Sequence, residues 1–594
     1  MPRGKTGWRW DAVGLFLAAA WAMAGLLLPG AWFRPAAVNE ELTAPLFDGM
    51  ILLRVCFVLE AVVAVASVLV IRRWAARRSS LPFAPEGGGD AGADPDPDVS
   101  SRFSGIAIAF LTLAAAALRF YKLDSPLWLD EISPIVDYGH LSPVQVFSTY
   151  LGSNNHVLNT LLVNGMVSVF GAHEWAVRLP AALFGIASIP AIYLLARTAL
   201  SSRASLCAAA LLAFSYHHVF FSQNARGYSA YLFFAVMASW LFVRALRTSR
   251  TRDWCLYAAA AVLEVFSLLN GVFLVAAHAI VAVLIALRSW RRDGVRYDLG
   301  RTTMVYGTIG LILVHLYSLV IPQAYSVMNT TYRMNSAGFS SPVSPEFLRD
   351  LLSGMPPFVI AGALFGGPIL AAVAALGLWR LFRASPLLTA ILVLPNALLT
   401  AFVIVERLAV TPRLFFFALV PCVIVLASGT EVVASCLSRR LRKSWAPGLL
   451  ALATGFLAIG LGAGLVRYYS IPKQNYPGAV KFIAENHRPG DAVIVLYLAK
   501  YGYGFYASRL GMPLDEDTYF VRDPAAFQLV LLRHPGARVW IVSTFERALG
   551  IDLPDIHEAL ESEWDLAARF PGTIGDGNVL VYRSKPRATE PGTS

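Results

Sequence analysis

The sequence predicts an all-α polytopic membrane domain of about 13 transmembrane helices with interfacial helices, followed by a small extracytoplasmic α/β domain. Three observations carry this reading. Apolar runs of spanning length recur from residue 10 to about 467, basic clusters separate them, and after residue 470 the pattern turns to short alternating helical and strand stretches. Of the 594 residues, 57% are hydrophobic and 15% charged, with a mean hydropathy of +0.58. Soluble domains carry about 25% charged residues, so a soluble enzyme is excluded, as are disordered and fibrous chains.

The net charge of +11 is unevenly placed. Beyond residue 470 there are 13 Lys and Arg against 15 Asp and Glu, which leaves 36 against 23 for the membrane part. That excess lies between apolar runs, so it reports topology by the positive-inside rule and not a nucleic-acid surface. The five cysteines (Cys56, Cys207, Cys255, Cys422 and Cys436) lie in or beside apolar segments without CxxC spacing, so they imply neither a disulfide framework nor a metal knuckle.

Basic clusters mark the cytoplasmic side. Runs 11–30 and 47–71 have basic flanks at both ends and form a hairpin (domain 1–78), the first run being an anchor and not a cleaved signal. The Gly, Pro and Asp-rich stretch inside 79–103 is a disordered cytoplasmic linker. The run 104–121 then crosses outward and places the stretch 123–140 outside. Further crossings are expected at 176–197, 204–222, 228–246, 253–270, 272–290, 302–321, 357–383, 386–405, 413–435 and 446–467, which completes a core of 104–467.

The markers agree only if 156–171 does not cross. It is short for a span, and His156, Thr160, Asn164 and Ser168 repeat on one face, so it is expected to lie in the outer interface. The stretch 322–356 is a second long outer loop, 470–583 a compact α/β domain with no nucleotide-binding glycine fingerprint, and 584–594 a disordered tail.

Candidate chemistry begins with Asp130 and Glu131, adjacent acids after Trp128 in the first outer loop. Such acids can hold a cation or take a proton from a hydroxyl, or merely solubilise a turn. The topology brings Arg178, Arg226, Tyr228 and Arg413 to the same face. One arginine near headgroups is best read as snorkelling, but three beside Asp130 read as an anion site. Glu264, His278 and His315 are intramembrane ionisable residues; Glu264 is either functional or a protonated packing residue, and the histidines are packing residues. His217 and His218 are expected to be interfacial. No ATP-binding loop, zinc-protease helix or acyl-transfer triad is legible, so any synthesis outside the membrane needs an activated donor.

The order of motifs resembles the GT-C membrane glycosyltransferases, specifically the bacterial branch akin to protein O-mannosyltransferases and lipid A aminoarabinose transferases. It is carried by PLWLDE, NNHVLN, EWAVRLPAALFGIASIPAIYLLAR and SQNARGYSAY between about 104 and 250, and more weakly by TPRLFFFALVP. The resemblance implies a polyprenyl-phosphate-linked sugar donor, an envelope lipid, glycan or protein hydroxyl as acceptor, membrane lipids as surroundings, and inversion at the sugar carbon.

It also implies Asp130 as catalytic base or orienter of the acceptor, with Glu131 supporting it or helping a divalent metal ion. Arg226, Arg178 and Arg413 would hold the leaving phosphate with Tyr228, while His156, Asn155, Trp128 and Glu264 would line the substrate site. Many relatives have His-Pro-Pro where this chain has His156, Val157 and Leu158. Some carry an acid shortly after the arginine-tyrosine motif, where this chain has Ser229 to Phe234, and that leaves the second carboxylate and the metal open. The rival reading is a transporter or flippase for a lipid-linked or anionic substrate, against which stand the missing internal repeats. A third is a noncatalytic scaffold of the same fold.

Overall fold

The computed structural model describes residues 7–29, 43–75, 97–152, 154–293, 297–325, 357–406, 411–512, 514 and 516–585. Most of the linker 79–103, most of the loop 322–356 and the tail beyond 585 fall outside these residues. Every one of the thirteen expected spans falls on a helix. Among the described residues, nine are long and apolar enough to cross a membrane, or ten with a broken pair counted as one. Four expected spans are not among the nine, 302–321 being one, and the other three have local causes. Thr251–Ser267 is only 17 residues long, and the described apolar part of the first helix is Phe16–Leu27. The expected span 204–222 is bent by 59° between Ser202–Phe214 and Tyr216–Ser222. Ser215 causes the break: its backbone is extended and its side chain accepts from the His218 N–H, starting a new helix.

The third spanning helix starts at Pro97 and not near 104, as suits a proline in a first turn. Three helices fix the polarity of the bundle. Glu174–Ala196, Tyr228–Thr248 and Leu419–Arg440 each begin beside a candidate arginine (Arg178, Arg226 and Arg413) and each end at a basic cluster. The candidate residues therefore share the end of the bundle opposite the basic markers.

The membrane core packs by small residues. Ala204, Ala208, Ala209 and Ala213 of one helix and Ala235, Ala238 and Ala245 of another belong to a single cluster with Ile189, Ile192, Phe242 and Ile424. Small side chains let backbones approach closely where lipid supplies no hydrophobic drive between helices. Pro357–Ala384 and Leu419–Arg440 show the limit of this. A Cβ on Gly377 would lie 2.0 Å from the Val425 carbonyl oxygen, and one on Gly429 would lie 2.0 Å from that of Val373.

The N-terminal hairpin docks on Tyr297–Tyr317 through a pair not anticipated from sequence. Glu60 accepts from the Trp21 indole at 2.7 Å and lies 2.9 Å from His315 Nδ1, so His315 is a pairing residue where packing was expected. His278 is a packing residue as expected, stacked on Phe242. His218 is fully buried with Nδ1 2.6 Å from Arg119 Nη2.

The segment 156–171 is a helix, Val157–Phe170, about 21 Å long at 1.5 Å per residue, too short to span. Its polar stripe grips neighbouring chain: Asn164 donates to the carbonyls of Tyr138 and Leu141, and Thr160 donates to Asn155.

The C-terminal domain is a five-stranded sheet in the order β2-β1-β3-β5-β4, with β1 at Ala492–Leu496, β2 at Thr518–Val521, β3 at Val539–Thr544, β4 at Trp564–Phe570 and β5 at Val579–Ser584. β1 runs parallel to β2 and β3, and β5 antiparallel to β3 and β4. The expected strands are β1, β3 and β5, all apolar runs buried on both faces. The edge strands β2 and β4 were not expected: they are short or half-exposed and carry no such run. One face of the sheet joins Tyr476, Val493, Trp540 and Val581 to Leu127, Ile132 and Val177 in one apolar cluster, which seats the domain on the first loop.

Gly377→Ala or Gly429→Ala is expected to destabilise the solubilised protein by about 1–3 kcal/mol, the usual cost of overpacking. Gly455→Ala, where a Cβ meets nothing within 4 Å, serves as the control. Thermal unfolding in detergent that failed to separate the first two from the third would contradict the packing described.

Candidate functional site

The first loop ends in the helix Leu129–Tyr138, and Asp130 and Glu131 lie in its first turn. The positive end of the helix favours both charges. Consecutive helical side chains point about 100° apart, as 3.6 residues per turn requires, so the two acids serve different surroundings.

Glu131 turns inward and is fully buried. It accepts from Arg178 Nε at 2.7 Å and Nη2 at 2.6 Å, from the Ala225 N–H at 2.8 Å and from the Trp128 N–H at 3.4 Å, and Lys473 Nζ lies 3.3 Å away. Burial by itself raises the pKa of this carboxyl; the charges of Arg178 and Lys473 and the donors around it overcome that and hold it at about 2. Lys473 is buried too, and burial pushes its ammonium down to about 7 against the pull of Glu131.

Arg178 has nothing left to offer a ligand. Beyond its two bonds to Glu131, it donates to the carbonyls of Leu123 and Ser125 through Nη1 and of Pro126 through Nη2. All five of its N–H groups are thereby used. The expectation that Arg178 holds a phosphate and Glu131 assists chemistry or a metal is corrected: the two lock the loop to the Glu174–Ala196 helix.

Asp130 turns the other way, and its side chain keeps 12% exposure. It pairs with Arg226 and with Arg413 Nη1 at 2.9 Å, and it accepts from Asn154 at 3.4 Å. Arg413 is itself 42% exposed. Arg226 is buried and places its other end, Nη2, 3.2 Å from His156 Nε2, while its Nε is buried without a partner. Its guanidinium stands over the Tyr228 ring at 5.6 Å, and Tyr228 packs edge-on to His156.

His156 Nδ1 accepts from the Gly227 N–H at 2.9 Å. Burial, reinforced by Arg226 and Arg413, holds its pKa well below 6.5. A neutral ring that accepts at Nδ1 carries its proton at Nε2, so this N–H and the Arg226 guanidinium are two donors side by side. An acceptor oxygen beside the pair would satisfy both. Gly227 is required beside this pair, since a Cβ there would meet the Ser267 carbonyl oxygen at 2.2 Å.

The other expected residues divide. Asn155 is buried and spends its side chain on the Thr149 carbonyl and Thr160. Trp128 is buried and donates to Asn224 at 3.3 Å. Both therefore shape the loop and do not line the site as expected. Glu264 is fully buried with neither carboxyl oxygen hydrogen-bonded. Lys473 and Gln474 belong to the cluster and were missed. They follow the last membrane helix in a stretch with no motif, and only the fold brings them to Glu131. The donors around Asp130 are guanidiniums, an amide and a nearby imidazole. Among the described residues no group of three His, Cys, Asp or Glu could hold a metal ion, and Glu131 is fully committed, so these residues do not fit the divalent ion implied by the resemblance.

Residues 157–318 match the dolichyl-phosphate-mannose-protein mannosyltransferase family, which bears out the resemblance carried by the motifs. That stretch holds Arg178, Arg226, Tyr228 and Glu264 but neither Asp130 nor Arg413. The candidate mannosyltransferase YkcB of Bacillus subtilis (strain 168) is 24% identical over 156 residues, covering 24% of this chain and 21% of the relative. Among solved structures, ArnT from Cupriavidus metallidurans bound to undecaprenyl phosphate is similar at TM-score 0.47 and 13% identity, over 81% of this chain and 98% of that one. The archaeal oligosaccharyltransferase AglB from Archaeoglobus fulgidus, in complex with an inhibitory peptide and a dolichol-phosphate, has TM-score 0.44 and 16% identity, over 78% and 71% of the two chains.

The Glu131 carboxyl sits at about 2 against a usual 4.5. A depressed carboxyl contributes stability that is whole above its unfolded value and lost as pH falls through its folded one. The stability gap between the parent protein and Glu131→Gln is therefore expected to hold down to about pH 4.5 and to close between there and about pH 2. Thermal unfolding across that window measures it; a gap that closes near neutral pH would refute the pairing.

Proposed function

We propose that this chain is an inverting GT-C glycosyltransferase. It moves a hexose or pentose from a polyprenyl-phosphate donor to a hydroxyl of an envelope lipid, glycan or protein at the extracytoplasmic face of a bacterial cytoplasmic membrane. The observation that carries this reading is Asp130, a partly exposed carboxylate held between two guanidiniums from remote segments, Arg226 and Arg413. The family matched over residues 157–318 supports the class of reaction, and the basic clusters at the far end of the bundle support the orientation.

The roles follow from which atoms remain available. Asp130 accepts the proton of the acceptor hydroxyl as that oxygen attacks the sugar carbon from the side opposite the phosphate. The bond from carbon to phosphate oxygen breaks, and the charge that develops there falls to Arg226, Arg413 and the Nε2–H of His156. Tyr228 holds the Arg226 guanidinium against its ring. A phosphate and the Asp130 carboxylate compete for the same two arginines. Donor arrival therefore draws them off Asp130 and releases its lone pairs for the acceptor.

Asp130→Asn is expected to lower sugar transfer at least about 100-fold, the scale of lost general-base catalysis. The same variant is expected to bind polyprenyl phosphate as tightly as the parent or more so, since its arginines are released. Transfer with a panel of polyprenyl-phosphate sugars, alongside phosphate-lipid binding, tests both halves. Parental rates, or weaker binding, would remove Asp130 from this role.

Orientation is tested at Ile551, which is 80% exposed in the C-terminal domain. Ile551→Cys is expected to react with a membrane-impermeant maleimide in intact cells, and reaction only after lysis would reverse the topology.

A further inference from the structure

We infer that Lys473, Gln474 and Tyr506 are positioning residues for the reaction: through them the C-terminal domain sets the Leu127–Glu131 turn and so aims Asp130. The inference rests on the reading of Asp130 as the reacting carboxylate.

The first N–H groups of a helix have no partner within it. In Leu129–Tyr138 the first of them is met from 345 residues away. The Leu129 N–H donates to Gln474 Oε1 at 2.8 Å, and just before the helix the Leu127 N–H donates to the Tyr506 hydroxyl at 2.7 Å. Asp130 lies one residue beyond the first of these amides.

Each anchor is itself fixed. Gln474 is fully buried and donates from Nε2 to Thr544 Oγ1 at 2.9 Å at the end of β3, and Thr544 donates in turn to the Asn578 carbonyl at 2.8 Å. Tyr506 donates to Glu174 at 3.2 Å at the head of the Arg178 helix. The Lys473 carbonyl is held by the Thr573 N–H at 3.2 Å, between β4 and β5. From there Lys473 Nζ donates to the Gln223 carbonyl at 2.5 Å and stands beside Glu131. Gln223 opens the segment that carries Arg226, so one lysine touches the segments of both halves of the site.

The chemistry favours alignment over simple adhesion. Apolar burial of Leu127, Ile132 and Val177 against Tyr476, Val493 and Trp540 already holds the domain on the loop and is indifferent to small slides. Directed bonds to two named amides are not indifferent, because they lose strength within a few tenths of an ångström or about 30°. A reacting carboxylate tolerates little misplacement.

The test uses the full-length protein in detergent or nanodiscs, with Gln474→Leu, Tyr506→Phe and Lys473→Met made separately. Hydrogen exchange at amides 127–131 is read by mass spectrometry, and kcat and KM for a polyprenyl-phosphate sugar are read beside it. Tyr506→Phe keeps the ring and Gln474→Leu keeps the volume, so the domain stays folded and peptides from β1 and β3 keep their protection. Exchange at 127–131 is expected to quicken about five- to tenfold, the worth of one hydrogen bond, while kcat falls about tenfold or more and donor KM stays within about twofold.

In Lys473→Met the loss of kcat is expected to persist from pH 6 to 9, and in Lys473→Arg to be largely restored. Unchanged exchange, or quickened exchange with parental kcat, overturns the positioning role. Quickened exchange in a protein that transfers no sugar supports the anchoring and sinks the proposed reaction instead.

Discussion

The Glu131 carboxylate is the constraint on which the rest of the site depends. It is fully buried and gathers Arg178 from one membrane helix, the Ala225 N–H from the connection between two others, and Lys473 from the lead into the C-terminal domain. Taking such a charge out of water costs several kcal/mol, and only full pairing and hydrogen bonding recover that. The cost enforces geometry: every segment that contributes a donor must arrive together, since leaving one partner out strands a buried charge at about 3–5 kcal/mol. Asp130, one residue earlier, inherits a fixed position from this arrangement while its own side chain keeps 12% exposure.

Much of the fold was legible because membrane physics leaves few solutions. Backbone polar groups must be satisfied within each span, so apolar runs became helices, and the basic clusters fall at one end of the bundle. The short helix Val157–Phe170 was legible from length and from a polar stripe every fourth residue. The break at Ser215 was not, because a serine cap inside a 19-residue apolar run gives no signal in composition. Nor was Glu60, whose cost in the hairpin is offset by Trp21 and His315, residues remote in sequence. The edge strands β2 and β4 lack the buried apolar run that announced β1, β3 and β5.

The site was legible in outline and misread in detail for a single reason. Residue type identified Asp130, Arg226 and Arg413 as well as Glu131 and Arg178, but only geometry separates the groups with capacity to spare from those already spent. Arg178 looks like the other arginines in sequence, and its five donors are consumed by Glu131 and three carbonyls. Arg226 keeps a buried Nε without a partner. Lys473 and Gln474 carry no motif at all, because their role is defined by the sheet that delivers them.

The two neighbouring acids show how a carboxylate can be held rigid while keeping some exposure. A carboxylate that must exchange protons needs some access and cannot itself be the anchor, because full pairing would depress its basicity. Placing the anchor next to it in the same helical turn separates the duties by about 100° of rotation. One side chain takes most of the desolvation and the cross-links, and the other meets the guanidiniums of Arg226 and Arg413. It follows that loss of activity on changing Glu131 or Arg178 would not mark them as chemical participants. Both residues set where Asp130 stands, and the distinguishing measurement is whether the altered protein still presents that loop, not whether it turns over.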